Sequence, residues 1–227
     1  MTDNKPNIAV VLSGCGVYDG AEIHESTLTL LALDRQGAAY QCFAPNIDQA
    51  HVINHLNGEV AGENRNVLVE AARIARGEIK DLIKFDAADY DAIIFPGGFG
   101  AAKNLSSFAF DGADCTVNDD VSAAVKAVHE AGKPIGALCI APAMMARIFQ
   151  SGDMTIGSDQ GTADAIEAMG ASHRTTTHGE VVVDDSLRLV TAPCYMLDAT
   201  ISQIADGTQN AVHTLLDMVQ QDRKASE

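Results

Sequence analysis

Three short apolar runs in this chain each end in small residues that carry, or point backbone at, a reactive group. They lead into Ser13-Gly14-Cys15-Gly16, Pro96-Gly97-Gly98-Phe99-Gly100 and Cys139-Ile140-Ala141-Pro142. The stretch from Lys133 to Pro142 reads as a buried strand entering a helix with almost no loop. Ala137 and Ala141 flank Cys139 at two residues on either side, as a sharp strand-to-helix turn requires, because its flanks nearly touch. Such a nucleophile elbow lifts a thiol above the sheet and sets it near a helix N-terminus, whose partial positive charge favours thiolate. The bland alternative is a buried cysteine acting as a small hydrophobe. Pro96-Gly97-Gly98 lets backbone N–H groups point into a crevice, where they can hold a developing oxyanion, and the Ile140 N–H is the natural second donor. The alternative there is a plain glycine turn. In Asp19-Gly20-Ala21-Glu22-Ile23-His24-Glu25, Asp19 reads as an N-cap and Glu22 completes a capping box. Glu25 lies one turn further on with no capping duty, and it either reaches the crevice or is a solvated helix glutamate. A carboxyl group against a thiolate has its pKa raised and can donate a hydrogen bond.

The elements that would position these groups alternate between strand and helix. Apolar runs predict strands at Asn7 to Leu12, Ala39 to Phe43, Ala92 to Phe95 and Pro134 to Leu138. Helical spacing predicts helices at Ala21 to Gln36, closed by Gly37, then Asn66 to Ala75, Val117 to Ala131, and Pro142 to Phe149. A short strand near Met154 to Ile156, a helix from Thr162 to Met169 and a closing helix from Ile201 to Val219 follow. Glu180 to Val183 and Leu187 to Thr191, joined by Asp184-Asp185-Ser186, read as a hairpin. The alternation predicts an α/β fold whose mostly parallel sheet is covered on both faces, with a local antiparallel patch. Sites in such sheets lie beyond the carboxyl ends of the strands, where all three reactive stretches fall. The polar segment from Asn46 to Asn66, with His51, His55 and Arg65, is the candidate insertion or lid.

Bulk properties exclude several classes. The 227 residues fit one domain spanning 1–227, and disorder is expected only at Met1 to Pro6 and Gln221 to Glu227. A formal net charge of -16 argues against nucleic-acid binding and against docking on anionic lipid. The five cysteines, Cys15, Cys42, Cys115, Cys139 and Cys194, are odd in number, widely spaced and lack a C-x-x-C pair. Neither a metal site nor a disulfide framework is expected, and free thiols fit a reducing, cytoplasmic setting. Ile8 to Leu12 reads as a strand rather than a signal peptide, and no apolar stretch approaches the ~20 residues that cross a membrane.

Together, Ser13 through Glu25, Phe95 through Ser106, Gly136 through Pro142 and Thr191-Ala192-Pro193-Cys194-Tyr195-Met196 resemble the PfpI-like branch of the class I glutamine-amidotransferase-like superfamily. Within it they are most similar to the ElbB glyoxalase-like proteins. The resemblance implies a flavodoxin-like doubly wound sandwich, a homodimer, and Cys139 as nucleophile. Counting back from Gly37, it places the nucleophile-contacting glutamate at Glu25 rather than Glu22. Gly98 and Ile140 match the oxyanion-type backbone donors. The implied activity is a cofactor-free, glutathione-independent glyoxalase acting on a small dicarbonyl, glyoxal or methylglyoxal, through a Cys139 hemithioacetal, with low turnover. Deglycation of early sugar-aldehyde adducts ranks lower, and a link to isoprenoid biosynthesis follows from the resemblance alone.

The sequence departs from the superfamily in lacking a histidine after Cys139: Ile140 stands there, and Met154 to Gly157 leads into Ser158 and Asp159. His173 and His178 lie further on, with His178 a weaker candidate partner. Cys15 either lines the same pocket, is paired with it in redox chemistry, or is a structural thiol. Lys103-Asn104 either holds an anionic product or is a helix cap with a solvated lysine. Two other readings compete: a non-enzymatic redox-sensing or partner-binding protein using the same Cys139, and an amidotransferase-like subunit, against which the missing histidine counts.

Overall fold

The computed structural model describes residues 5–225. The first half of the chain lays down β1 (Asn7–Val11), α1 (Ile23–Arg35), β2 (Ala39–Ala44), α2 (Val67–Ile74), β3 (Ile79–Asp81) and β4 (Ala92–Phe95). Two short helices follow, α3 (Phe99–Lys103) and α4 (Phe108–Asp111), then α5 (Asp119–Glu130), β5 (Ile135–Leu138) and α6 (Pro142–Phe149). The rest comprises β6 (Asp153–Met154), α7 (Gln160–Ala168), β7 (Ser172–His173), β8 (Val182–Asp184), β9 (Leu189–Ala192) and α8 (Ile201–Ala225).

Seven strands form one sheet in the order β3-β2-β1-β4-β5-β9-β8. All neighbours pair in parallel except β8 and β9, so the expected flavodoxin-like α/β fold with one antiparallel hairpin is what the chain adopts. Strands β1, β4, β5 and β9 are almost wholly buried, because both sheet faces are covered. Alternate residues feed two cores. Ala9, Val11, Ile93 and Ile135 face α5 and α6, while Ile8, Val10, Ala92 and Ile94 face α1 and α8. The strand order reverses between β1 and β4, which opens a crevice at their carboxyl ends beside the end of β5.

Several sequence expectations are corrected. Asp19 is not the N-cap of the first helix. That helix starts at Ile23, and Glu22 caps it by accepting from the Glu25 N–H at 2.7 Å. The Asp19 carboxylate instead accepts from the Ile53 N–H at 2.7 Å. The strand expected near Met154 to Ile156 is Asp153–Met154 and pairs with β7 in a separate two-stranded sheet. Strand β3 carried too little apolar signal to be read. The expected frayed ends fall partly at residues 1–4 and 226–227, outside the described residues. Within them, Pro6 accepts from the Ala39 N–H, and α8 continues to Ala225 with Arg223 paired to Asp91 at 2.8 Å.

The 46–66 segment is a strap closed on itself by short bridges, Asp48 to Asn66 and Ile53 to Val60. Asn104 holds it down. Its buried amide donates to the carbonyls of Ser13 (2.9 Å) and Asp19 (2.8 Å) and accepts from the Ala50 N–H at 2.9 Å. Removing a buried group with three such bonds leaves its partners unpaired. Asn104→Ala is therefore expected to cost about 3 kcal/mol in urea unfolding and to make the strap the first site of limited proteolysis. Unchanged stability and an uncut strap would contradict this anchoring.

Candidate active site

Cys139 occupies a single turn between β5 and α6 with φ at 60°, a left-handed conformation that strains any side chain bearing Cβ. The surroundings hold it there. Its N–H donates to the Ala192 carbonyl on β9 at 2.9 Å, the Ala141 N–H turns back to Leu138, and Pro142 opens α6. Ala137 and Ala141 are both fully buried, so larger side chains at the flanks would have no room.

Glu25 reaches the same point from α1. The buried face of that helix carries Glu25, Ser26 and Thr29 as well as Ala32 and Leu33. The two hydroxyls are satisfied within the helix, Ser26 donating to the Glu22 carbonyl (2.6 Å) and Thr29 to the Glu25 carbonyl (2.7 Å). Glu25 is fully buried with its carboxylate clamped between two backbone donors, the Gly97 N–H at 2.9 Å on Oε2 and the Tyr195 N–H at 3.0 Å on Oε1.

Gly97 is what lets the two side chains meet. A Cβ there would stand 2.2 Å from the Cys139 Cβ, 2.6 Å from Glu25 Oε2 and 2.9 Å from the Cys139 sulfur. Gly98 has φ at 98°, and a Cβ on it would fall 2.3 Å from the Glu22 nitrogen. The Pro-Gly-Gly turn is thus a contact surface for α1 on one side and for the cysteine on the other.

Burial pushes the Glu25 carboxyl up from 4.5 to about 7, against the lowering effect of the Tyr195 N–H, with the nearby charge of Glu22 adding to the rise. Hydrogen bonds from Cys139 and Gly97 pull it back down in smaller measure. Burial likewise raises the Cys139 thiol well above its ordinary value, and the charge of Glu25 raises it further. The Gly98 N–H against the sulfur only partly offsets this. The N-terminus of α6 does not make the resting thiol acidic, contrary to the sequence expectation, because desolvation beside a carboxylate outweighs it. In this pair the thiol keeps its proton while the carboxyl loses its own near pH 7, the S–H then donating to the carboxylate.

Above Cys139 lies a pocket of about 310 Å³. Gly98, Cys139 and Ile140 form its floor, and Val17, Phe99, Phe108 and Met196 its apolar walls. Asp159, Thr162 and Tyr195 supply the polar part. Asp159 caps α7, accepting from the Thr162 N–H at 2.8 Å, and these bonds lower its pKa. The Tyr195 hydroxyl meets His24 Nδ1 at 2.8 Å.

The structure therefore brings Cys139, Glu25, Gly97, Gly98 and Ile140 together. Other candidates stand elsewhere. Cys15 is half-buried among Asp19, Glu70, Arg73 and Arg65, and is not in this pocket. Lys103 donates to the Tyr18 carbonyl at 2.9 Å and lies over the Phe99 ring; with Asn104 it borders a neighbouring depression. Asn104 is committed to the strap, so it is not free to hold a product. His178 faces the Asp198 carbonyl at 3.0 Å in a separate surface depression with Gln203 and Asp206. His173 meets the Ile156 N–H. Among the described residues, no histidine lines the Cys139 pocket. The strap's His51 packs on Phe110 and its His55 on Tyr18, outside the pocket, and Arg65 pairs with Glu63 and Glu70. No group of three or more metal-binding side chains occurs among the described residues, and no helix there is long and apolar enough to cross a membrane.

Sequence reading missed Phe108, Thr162 and the roles of Asp159 and Tyr195. The cap pattern Asp159-Gln160-Gly161-Thr162 was the available signal for a helix start beside the site.

The Glu25 pKa carries a stability consequence. The folded state binds this proton more tightly than the unfolded chain, so wild type loses stability as pH rises from 4.5 to about 7. A rise of that size corresponds to about 3 kcal/mol. Glu25→Gln does not titrate, so its unfolding free energy relative to wild type is expected to climb by up to about 3 kcal/mol across that window in urea titrations. A constant difference from pH 4.5 to 8 would contradict the shift.

Comparisons with known proteins agree with this fold. The human glutamine amidotransferase-like class 1 domain-containing protein 3, named mitochondrial, is 49% identical over 221 residues, covering 93% of this chain and 82% of that one. The crystal structure of an isoprenoid biosynthesis protein with amidotransferase-like domain from Ehrlichia chaffeensis superimposes with a TM-score of 0.86 at 36% identity, covering 93% of this chain and 99% of that one. Glyoxalase III from Candida albicans superimposes with a TM-score of 0.58 at 16% identity over 92% of this chain and 97% of that one, a likeness of fold alone. The DJ-1/PfpI family model matches residues 16–200. The chain thus belongs to the DJ-1/PfpI family, within the class I glutamine amidotransferase-like superfamily.

Proposed function

We propose that this protein is a thiol-dependent, cofactor-free glyoxalase that converts a small 2-oxoaldehyde to a 2-hydroxy acid. The observation that carries the reading is the buried Glu25 carboxyl, set on Cys139 with its pKa near 7, where a group can both take and return a proton at neutral pH. In this reading Cys139 Sγ adds to the aldehyde carbon while its proton passes to Glu25. The carbonyl oxygen, holding the displaced electron pair, is stabilised by the N–H groups of Gly98 and Ile140 and then protonated. Glu25 supplies that proton and is thereby free to take the remaining C–H proton of the hemithioacetal, giving an enediolate; it delivers this proton to the neighbouring carbon while the hydroxyl proton moves to that carbon's oxygen, which leaves a Cys139 thioester of the 2-hydroxy acid. Water cleaves that thioester to the 2-hydroxy acid and the free thiol. Atoms balance as one dicarbonyl plus one water, with no oxidant or reductant.

The names of the relatives suggest glutamine chemistry as the alternative. Among the described residues, neither histidine nor any cationic side chain lines the Cys139 pocket, which counts against it, since glutamine brings an α-carboxylate and amide hydrolysis needs a proton donor for its leaving group. The five free cysteines favour a reducing compartment, and we place the activity in the cytoplasm on that ground.

The test is glycolate formation from glyoxal in glutathione-free buffer, followed by NMR against a protein-free blank. Cys139→Ala is expected to fall to the blank, and Glu25→Gln to lose about 10²- to 10⁴-fold. For wild type, kcat/KM should rise with pH through a midpoint near 7, because the resting enzyme needs Glu25 ionised to take the thiol proton. Equal turnover by wild type and Cys139→Ala would remove the enzyme reading.

A further inference from the structure

We propose that the pocket over Cys139 selects an uncharged carbonyl compound with an apolar tail, the class of aryl or branched-alkyl 2-oxoaldehydes, over glyoxal and over anionic aldehydes. As a statement about turnover this rests on the glyoxalase reading; as a statement about which electrophile reaches the thiol it does not.

Size is the first argument. The pocket's 310 Å³ is about ten times the share of one water in the liquid. Glyoxal is little larger than a pair of waters, so it would leave most of the cavity wet and gain nothing from the walls. The volume sits at the low end for small-molecule pockets, about 300 Å³ and upward, which suits one ring or a branched chain beside the reacting carbons.

The lining is the second. Val17, Phe99, Phe108, Ile140 and Met196 face the cavity from five separate segments. They are held in place: the Phe99 N–H donates to the Val17 carbonyl at 2.8 Å, and Phe108, Ile140 and Met196 pack against the core. A preformed apolar wall rewards an apolar tail without reorganisation.

Charge is the third. Among the described residues, no lysine, arginine or histidine lines the pocket, and its one ionised wall group is the carboxylate of Asp159. Lys103, the cation the sequence offered for an anionic product, lies outside the lining, donating to the Tyr18 carbonyl and sitting over the Phe99 ring. An anionic tail would meet Asp159 and a chain of net charge -16 with nothing to pair it. For a tailed substrate the steps are those given above, ending in the corresponding tailed 2-hydroxy acid.

Alkylation of Cys139 in the full chain reads this selectivity without requiring turnover. Rates with phenacyl bromide, iodoacetamide and iodoacetate would each be divided by the rate with N-acetylcysteine at the same pH, and Cys139 followed by peptide mass spectrometry. The normalised rate with phenacyl bromide is expected to exceed that with iodoacetamide by about tenfold or more, the discrimination apolar pockets achieve, and iodoacetate to fall below iodoacetamide. Phe108→Ala should shrink the phenacyl advantage. Asp159→Asn, which keeps a good helix cap, should raise the iodoacetate rate relative to the iodoacetamide rate. Equal normalised rates for all three reagents, or iodoacetate at least as fast as iodoacetamide, would overturn the inference. In parallel, kcat/KM for phenylglyoxal should exceed that for glyoxal by about tenfold or more. Glyoxal turned over as well as phenylglyoxal would overturn the selectivity and keep the glyoxalase reading. The expected alkylation order with no turnover of either would keep the selectivity and remove the glyoxalase reading.

Discussion

The meeting of Cys139 and Glu25 across the bare backbone of Gly97 is the constraint on which the rest of the site depends. Two side chains from separate elements, α1 and the turn after β5, converge only because β4 ends in residues without Cβ atoms where both close in. The reversal of strand order between β1 and β4 supplies the crevice. The strained φ of Cys139 aims the thiol into it, and the neighbouring β9 carbonyl and Pro142 help hold that strain. Burying a carboxyl group there is costly, and the backbone N–H groups of Gly97 and Tyr195 reduce the cost without abolishing it. The residual cost is what brings Glu25 to a pKa useful at neutral pH.

One consequence is that the nucleophile is not a standing thiolate. A thiol buried beside a carboxylate stays protonated at rest and ionises only by handing its proton across. Such a pair is suited to addition to an aldehyde, whose oxygen needs a proton soon after the sulfur attacks. It is poorly suited to chemistry that demands a separate base and a separate acid at once.

Much of this was legible in the sequence, for identifiable reasons. Continuous apolar runs fixed the four central strands, because strands buried on both faces cannot alternate. The spacing of Ala137, Cys139, Ala141 and Pro142 gave the turn, since only small flanks permit it. Glu25 was harder: the buried face of α1 is largely polar, with Ser26 and Thr29 satisfied within the helix, so its hydrophobic pattern is weak and the residues alone left open whether Glu25 reaches the crevice or is solvated. Asp19 misled because a capping pattern reports only local fit, and a distant N–H, that of Ile53, claimed its carboxylate. Phe108, the Asp159–Thr162 cap and Tyr195 come from three places in the chain, and only the tertiary fold sets them around one cavity. Lys103 and Asn104 lie near the site in sequence but are spent on backbone carbonyls and the strap.

The most direct test of the account is the protonation of Glu25 itself. With glutamate labelled by ¹³C at the carboxyl carbon, the Glu25 signal can be assigned by its loss in Glu25→Gln and followed with pH. The account requires a midpoint near 7. A midpoint near 4.5, the ordinary value for a glutamate, would mean that the carboxyl is solvated or fully compensated, and the proton-sharing pair at the centre of the site would not exist.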